Sequence, residues 1–398
     1  MLLAYLLLSL AGLQTAFSAP IAQPNLPLGA STGFSSYSVG LSAGGEAACI
    51  SGNVPVTINA TTVNLLLAEP TNQTVVTEII QELFQNNSTI GQTTFGGYKT
   101  TQGTYHIDST LCFPNNGSKA KTVQVLVHGI GLDKSYWDIA PGYSYVDAAA
   151  AAGYATLAYN RLGVGNSDHP DPIQVVQAAV DVEVQHGIVQ LLRLGLLGTG
   201  GHDYVIGVGH SYGSIIQLAQ NGKYPADVDA AVLTGFTDVV TNLQFTVIAN
   251  NPAIANVNNA SKWGGLPNGY LVHDTSISIQ LPFFRFPFFA NAIFDNQVAA
   301  KQTYSLGQQF TLPLIFAPAT NFTGPVDVVV GLQDFPFCKG DCLSPSDQAV
   351  TTIPSLYPAA SKGSQSFIVP DSGHFINAHY NAPLEFEQIN KFLTSNSL

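Results

Sequence analysis

The chain carries little charge, and most of that charge is negative. Of its 398 residues only 10% are charged, with 13 Lys and Arg against 25 Asp and Glu, so the formal net charge is -12. The sequence has no basic patch to hold a phosphate backbone, which excludes nucleic acid as a partner. A net negative charge favours solubility and does not indicate a fold.

The sequence also has no apolar run long enough to span a membrane comfortably. The apolar residues 2–13 are followed by small residues that include Ala16 and Ser18, which is typical of a secretory signal, although no basic residue precedes the run. We therefore expect a signal peptide at residues 1–18, no integral membrane span and an extracellular protein. Residues 19–48 are rich in Gly, Ser, Ala and Pro without a period, and we expect them to form a flexible leader.

Cysteine is scarce, with four residues in the chain. Cys338 and Cys342 are close enough to bridge locally, which leaves Cys49 and Cys112 as the other expected pair. A zinc site at Cys338 and Cys342 is the competing interpretation, but no second Cys/His pair has suitable spacing. Two disulfides fit an extracellular protein, and we expect neither a metal nor an organic cofactor.

N-x-S/T sequons occur at a density that is unusual for a cytosolic chain, which agrees with secretion. Most of them lie in polar stretches that resemble surface loops. The predicted glycosylation sites are Asn59, Asn72, Asn86, Asn87, Asn116, Asn259 and Asn321.

From residue 122 onward, apolar strand-like runs alternate with amphipathic helical stretches. This pattern predicts a mostly parallel sheet with helices on both faces, within one α/β domain over residues 49–398. The interval at about residues 239–323 breaks the alternation, and we expect it to be an inserted cap. Its phenylalanine-rich run at residues 281–289 either fills the interior as an aromatic plug or lines an apolar pocket.

The segment Gly209-His-Ser-Tyr-Gly213 stands between a strand-like run and a helical stretch. In that setting the G-x-S-x-G pattern exposes a serine on a sharp turn, and Ser211 is the candidate nucleophile. His374, which follows the last strand at the carboxyl edge of the sheet, is the candidate general base. Asp334 ends the penultimate strand and is the candidate acid that orients His374, with Asp238 at the end of the preceding strand as the alternative.

Acyl transfer also needs two backbone N–H groups to stabilise the oxyanion. Tyr212, directly after the nucleophile, is one candidate donor. Ile130 is the other, because the His-Gly-Ile-Gly turn at residues 128–131 follows the first regular strand.

These features together resemble the α/β-hydrolase superfamily, and the chain is similar to secreted fungal serine hydrolases of this fold. The resemblance covers roughly residues 122–398 and implies an eight-stranded sheet with the cap inserted after the sixth strand. It also implies that the segment 161–168 packs around the serine turn and takes no part in the chemistry. The residues that carry the resemblance are His128-Gly129, the segment 161–168, Ser211, Asp334 and His374.

The resemblance implies a secreted carboxylic ester hydrolase, esterase-like or lipase-like, that works through a Ser-His-Asp triad and an acyl-enzyme. The aromatic cap favours a small-molecule or lipid-like ester with a lipophilic or aromatic acyl or alcohol part. A serine peptidase or amidase with the same triad is the alternative. The glycine-rich segment 207–213 could instead be a dinucleotide-binding turn. However, it lacks the usual glycine spacing, and no acidic residue closes a strand about 20 positions later. A non-catalytic binding protein on the same scaffold is a further alternative. Such a protein would usually have lost one of the three catalytic residues, and all three are present here.

Overall fold

A nine-stranded mixed sheet organises residues 23–398, the part of the chain that this computed structural model describes. The predicted signal peptide at residues 1–18 lies outside the described residues. The strands of this sheet are β1 (Ser35–Leu41), β2 (Ala47–Leu65), β3 (Phe95–Pro114), β4 (Thr122–Val127), β5 (Ala155–Tyr159), β6 (Tyr204–His210), β7 (Ala230–Thr234), β11 (Val326–Gly331) and β12 (Gln365–Val369). A second sheet contains β8 (Pro252–Ile254), β9 (Tyr270–His273) and β10 (Tyr304–Ser305).

The strand order of the large sheet is β1-β2-β3-β5-β4-β6-β7-β11-β12. Six neighbouring strands pair in parallel: β5, β4, β6, β7, β11 and β12. The strands β1, β2 and β3 join them antiparallel at one edge. The strands β4, β5, β7 and β11 are buried along their full length, as helices on both faces require. The expected eight-stranded, mostly parallel sheet is thus corrected to nine strands of mixed direction.

The extra strand comes from the segment that we expected to be a flexible leader. Within residues 19–48, β1 pairs antiparallel with β2. The turn between the two strands is held by Asp147, whose carboxylate accepts hydrogen bonds from the backbone N–H groups of Gly44 and Glu46 and from the hydroxyl of Ser42. The small residues therefore serve a tight, anchored turn here, and the expectation of a flexible leader is wrong for residues 35–48.

Helices lie on both faces of the sheet, as predicted. One hydrophobic cluster packs the helices Ala178–Arg193, Tyr212–Lys223 and Gln348–Leu356 on one face, and a second packs the helices Tyr145–Ala151 and Ala382–Ser395 on the other. The helices are α1 (Gln73–Phe84), α2 (Ile90–Thr93), α3 (Tyr145–Ala151), α4 (Ala178–Arg193), α5 (Tyr212–Lys223), α6 (Leu243–Ala249), α7 (Ala255–Asn258), α8 (Ala260–Trp263), α9 (Ser276–Phe283), α10 (Asn291–Ala300), α11 (Leu306–Ile315), α12 (Phe335–Cys338), α13 (Gln348–Leu356) and α14 (Ala382–Ser395).

The segment between β7 and β11 is an insertion between two strands of the large sheet, at the interval of about residues 239–323 for which we expected a cap, and it is called the cap below. It contains α6 to α11 and the small sheet, in the order β10-β9-β8. The insertion follows the seventh strand of the large sheet instead of the sixth, because β1 adds one strand at the N-terminal end.

The N-terminal part of the chain supports the cap from outside. The side chain of Gln73, at the start of α1, donates to the backbone oxygen of Pro252 (2.8 Å) and accepts from the N–H of Ile254 (2.9 Å). It therefore occupies the place that a further strand would take beside β8. Apolar residues of α1 and of the far end of β2 pack with apolar residues of the cap in one cluster.

Both predicted disulfides are formed. Cys49 and Cys112 stand directly opposite each other on β2 and β3, with 4.0 Å between their Cα atoms. Cys338 and Cys342 close a short loop just after β11. The competing interpretation of a zinc site at Cys338 and Cys342 is therefore set aside.

All seven predicted glycosylation asparagines are exposed, so none is hidden from a modifying enzyme. Two of them also hold helix ends: Asn72 caps α1 and Asn259 caps α8 through their side-chain oxygens. Within residues 23–398, no helix combines the length and the apolar character needed to cross a membrane.

Two carboxyl groups are buried between β11 and α14. Asp327 is fully buried and accepts one hydrogen bond, from Gln365 (3.3 Å), while neither carboxylate oxygen of the buried Glu385 has a partner among the described residues. Burial raises the pKa of Asp327 from 3.8 to about 8. Burial, and then the nearby Asp327, raise the pKa of Glu385 well above its ordinary value. Both groups therefore favour the protonated form in the folded protein.

We predict that the free energy of unfolding falls as the pH rises. A raised pKa in the folded state gives stability that is complete below the ordinary value of 3.8 and is lost as the pH rises to about 8. For Asp327 alone the slope is at most about 1.4 kcal/mol per pH unit. Urea unfolding at several pH values should show a shallower slope in Asp327→Asn, and an unchanged slope in the exposed control Asp295→Asn. Equal slopes in all three proteins would contradict the prediction.

Candidate active site

Ser211 lies on a strained turn between β6 and α5. Its backbone has φ 56° and ψ -117°, a left-handed conformation that non-glycine residues seldom adopt. Its N–H donates to the carbonyl of Thr234 on the neighbouring strand β7 (2.9 Å). The turn lifts the hydroxyl above the carboxyl edge of the sheet, and Ser211 remains partly accessible.

The two glycines of the G-x-S-x-G pattern make this turn sterically possible. A Cβ at Gly213 would lie 2.1 Å from the carbonyl oxygen of Val127 on β4, and one at Gly209 would lie 2.4 Å from the carbonyl oxygen of Gly213. Because backbone atoms occupy both places, any side chain would push α5 away from the sheet. Glycine is therefore required at both positions.

The three candidate catalytic side chains form one hydrogen-bonded chain. The Oγ atom of Ser211 lies 2.8 Å from Nε2 of His374, and Nδ1 of His374 lies 2.6 Å from Oδ2 of Asp334. Because Asp334 accepts at Nδ1, the imidazole proton resides there and Nε2 is free to accept from the serine hydroxyl. His374 and Asp334 are both buried, so water competes little for these bonds.

Asp334 is held from two sides. Its second oxygen accepts from the N–H of Phe337 (2.9 Å), so the carboxylate also caps α12. Its backbone oxygen accepts from the N–H groups of Cys338 and Gly340, in the loop that the second disulfide closes. The alternative acid, Asp238, is engaged elsewhere, because its carboxylate accepts from the hydroxyl of Thr352 and not from His374.

Two further histidines near the site have structural partners. His210 stacks on Tyr136 at 4.4 Å between ring centroids, and burial lowers its pKa. His379 accepts at Nε2 from the N–H groups of Gly373 (3.1 Å) and Arg285 (3.0 Å), which ties the His374 loop to the cap. Burial lowers the pKa of His379 to about 4, so the ring stays neutral and keeps accepting.

Both candidate oxyanion donors lie beside the serine. Tyr212 is the first residue of α5, where a backbone N–H has no partner within the helix. Ile130 follows Gly129 on a turn that passes close to Ser211, since a Cβ at Gly129 would be only 3.1 Å from the serine Cβ. Ile130, Tyr212, Ser211 and His374 line one cavity, as the expected roles require.

A buried ion pair connects the two candidate donors, which the sequence analysis did not foresee. Arg161, fully buried, donates to the carbonyl of Gly129 (3.3 Å) and lies 4.6 Å over the ring of Tyr212. Its partner Asp181 accepts from Arg161 (3.5 Å), from the hydroxyl of Tyr212 (2.8 Å) and from Gln308 (2.7 Å). The position of Arg161 directly after a strand of the predicted sheet was the one available signal for this role.

The cavity beside Ser211 is narrow and mostly apolar. The centre of a water molecule can occupy a volume of about 60 Å³ inside it, which is enough room for a few waters or a slender organic group. Its lining residues are Ile130, Ser211, Tyr212, Ile215, Leu243, Thr246, Val247, Asn250, Phe283, Tyr304, Gln309, Leu312, Pro336, Phe337, His374 and Phe375.

The phenylalanine-rich run of the cap both lines the apolar cavity and fills the interior as an aromatic plug. Phe283 lines the cavity and stacks on Phe375 at 4.4 Å. Phe284 and Phe289 are buried against each other and against His379, as an interior plug. Phe286 is 79% exposed and takes part in neither.

Comparison with known proteins identifies the family. The model of the alpha/beta hydrolase family matches residues 124–388, and the chain belongs to this family. No curated protein sequence matches the chain.

Solved structures resemble the chain at low sequence identity. A thermophilic esterase from Thermogutta terrifontis, with malate bound, is 14% identical with a TM-score of 0.51, over 74% of this chain and 96% of that one. A monoacylglycerol lipase from Paleococcus ferrophilus is 16% identical with a TM-score of 0.49, over 73% of this chain and 99% of that one. Likeness at this level concerns the fold alone.

We predict that Gly213→Ala destabilises the protein by about 1–3 kcal/mol or more, because the added methyl group overpacks a backbone crossing. The control is Gly222→Ala in the same helix, where a Cβ would lie 3.7 Å from its nearest neighbour. That change should stabilise the helix by up to about 1 kcal/mol. Urea unfolding of the two variants checks both values. Equal effects in the two variants would contradict the steric argument.

Proposed function

We propose that this protein is a secreted serine hydrolase that cleaves carboxylic esters. The observation that carries the proposal is the hydrogen-bonded chain from Ser211 through His374 to Asp334, at the mouth of an apolar cavity. A serine hydroxyl is a weak nucleophile unless a general base takes its proton, and Nε2 of His374 is placed at 2.8 Å to do so.

The proposed reaction has two halves. Ser211 attacks the ester carbonyl while His374 takes the serine proton, and Asp334 stabilises the imidazolium that forms. The N–H groups of Ile130 and Tyr212 stabilise the oxyanion, and His374 returns the proton to the departing alcohol. His374 then takes a proton from water as that water attacks the acyl-enzyme, and it returns the proton to Oγ of Ser211 when the acid departs.

The lining of the cavity favours a lipophilic or aromatic acyl or alcohol part. Aliphatic and aromatic side chains such as Leu243, Val247, Phe283 and Leu312 dominate its walls. An apolar group that enters gains the free energy of leaving water, about 25 cal/mol per Å² of buried apolar surface. A serine peptidase or amidase with the same three residues is the second candidate. Paired esters and anilides of the same acids distinguish the two.

Three features support secretion. The N-terminal apolar run has the pattern of a signal peptide. Two disulfides are formed, which is typical of proteins from oxidising compartments. The seven sequon asparagines are all exposed and open to glycosylation.

We predict that a fluorophosphonate probe labels Ser211, and that Ser211→Ala abolishes both the labelling and the hydrolysis of p-nitrophenyl esters. Loss of a triad serine typically costs about a millionfold in kcat. Peptide mass spectrometry locates the label, and Ser214→Ala is the matched control. The hydroxyl of Ser214 is buried and donates to the carbonyl of Thr234, so this variant should still be labelled at Ser211. A folded wild-type protein that takes no label at Ser211 would refute the proposal.

We predict that Arg161→Lys lowers kcat on the order of tenfold to a hundredfold while KM changes little, since Arg161 positions the oxyanion donors without touching the substrate. Lysine keeps a charge for Asp181 but loses the planar fork that also reaches Gly129. Arg193→Lys, at a partly exposed pair with Asp229, is the control and should leave both constants unchanged. A change confined to KM would contradict the positioning role.

A further inference from the structure

Two residues of the cap, Asn250 and Tyr304, belong to the lining of the cavity beside Ser211 and carry buried oxygen atoms. They are only 3% and 2% exposed. Neither Oδ1 of Asn250 nor the hydroxyl of Tyr304 has a hydrogen-bond partner among the described residues. A buried polar atom without a partner destabilises a folded protein, so a ligand group that pairs with such an atom would be bound favourably.

The two residues reach the lining of the cavity from different sides of the strand β9. Tyr304 begins β10 and stands opposite Leu271 of β9, and Asn250 lies just before β8 on the other side of β9. His273 of β9 packs 5.6 Å from the ring of Tyr304, between ring centroids. Burial lowers the pKa of His273 to about 4, so this neighbour carries no charge at neutral pH.

The rest of the lining limits what these oxygens can bind. Apart from His374, no lining residue of the cavity has a carboxylate or a basic side chain. A carboxylate or ammonium group of a ligand would therefore be buried without a counter-charge, which is strongly unfavourable. A neutral hydroxyl suits the site better, since it can donate to Oδ1 of Asn250 and accept from the hydroxyl of Tyr304.

We propose that Asn250 and Tyr304 form a specificity subsite that recognises a neutral hydroxyl group on the part of the ester that enters the cavity. The substrates would then be uncharged hydroxy-esters, with an apolar stretch between the scissile carbonyl and the hydroxyl. This inference rests on the proposed ester hydrolysis for its substrate class. Recognition of the hydroxyl group is a binding property, so it can be tested on a variant that does not hydrolyse the ester.

The test compares matched esters that differ by one hydroxyl group. Three pairs cover both sides of the scissile bond: p-nitrophenyl hexanoate with and without a terminal hydroxyl, methyl cinnamate with and without a para-hydroxyl, and hexyl acetate with and without a terminal hydroxyl on the alcohol. For each pair, the ratio of kcat/KM for the hydroxylated ester to that for the plain ester is measured in the wild type and in Tyr304→Phe and Asn250→Leu. Tyr357→Phe is the control, because Tyr357 is equally buried but lies outside the cavity and pairs with Asn221.

We expect at least one pair for which each subsite variant lowers this ratio about tenfold or more, as the loss of a hydrogen bond to a buried group predicts. Tyr357→Phe should leave the ratio at its wild-type value. Ratios that stay unchanged in Tyr304→Phe and Asn250→Leu for all three pairs would overturn the subsite. Both oxygens would then be structural only.

A binding measurement separates this inference from the proposed function. Dissociation constants of the same ester pairs are measured by calorimetry on Ser211→Ala, alone and combined with Tyr304→Phe. If the wild type hydrolyses no ester, the proposed function fails. A loss of preference for the hydroxylated ester on adding Tyr304→Phe would still support the subsite, and an unchanged preference would overturn it.

Discussion

The close crossing of α5 over β4 is the constraint on which the site depends. The backbone of Gly213 lies so near the carbonyl of Val127 that no side chain fits between them. This contact fixes the start of α5, and with it the left-handed turn at Ser211 and the free N–H of Tyr212. A serine on a flexible loop would lose the alignment with His374 that general-base catalysis requires.

Buried polar residues then hold the other parts of the site against that crossing. Arg161 and Asp181 link the turn of Gly129 to the ring of Tyr212, so both candidate donors belong to one rigid unit. His379 has the same effect on the other side, where it joins the His374 loop to the cap. In both places each linking side chain bonds to more than one segment, which makes its position independent of any single loop.

Sequence reasoning went furthest where the signal was local. The G-x-S-x-G turn at Ser211, and the placing of Asp334 and His374 just after strand-like runs, follow from patterns within a few residues, and the structure brings the three together. The strand at residues 35–41 was missed because Asp147, about a hundred residues away, anchors its turn. Asn250 and Tyr304 were missed because the cap has no period, and Tyr304 and the strand next to Asn250 come together only through the pairing of β10 and β8 with β9.

The support that Gln73 and α1 give to the cap bears on where the folding unit begins. The family match starts at residue 124, yet the outer wall of the cap is built from residues well before it. A fragment that began at residue 124 would expose the apolar residues of the cap that α1 and β2 cover, and it would lose the strand-like hydrogen bonds of Gln73 to β8. The part of the chain that the family model matches is therefore shorter than the part that builds the cap, because α1 and the end of β2 also pack against it.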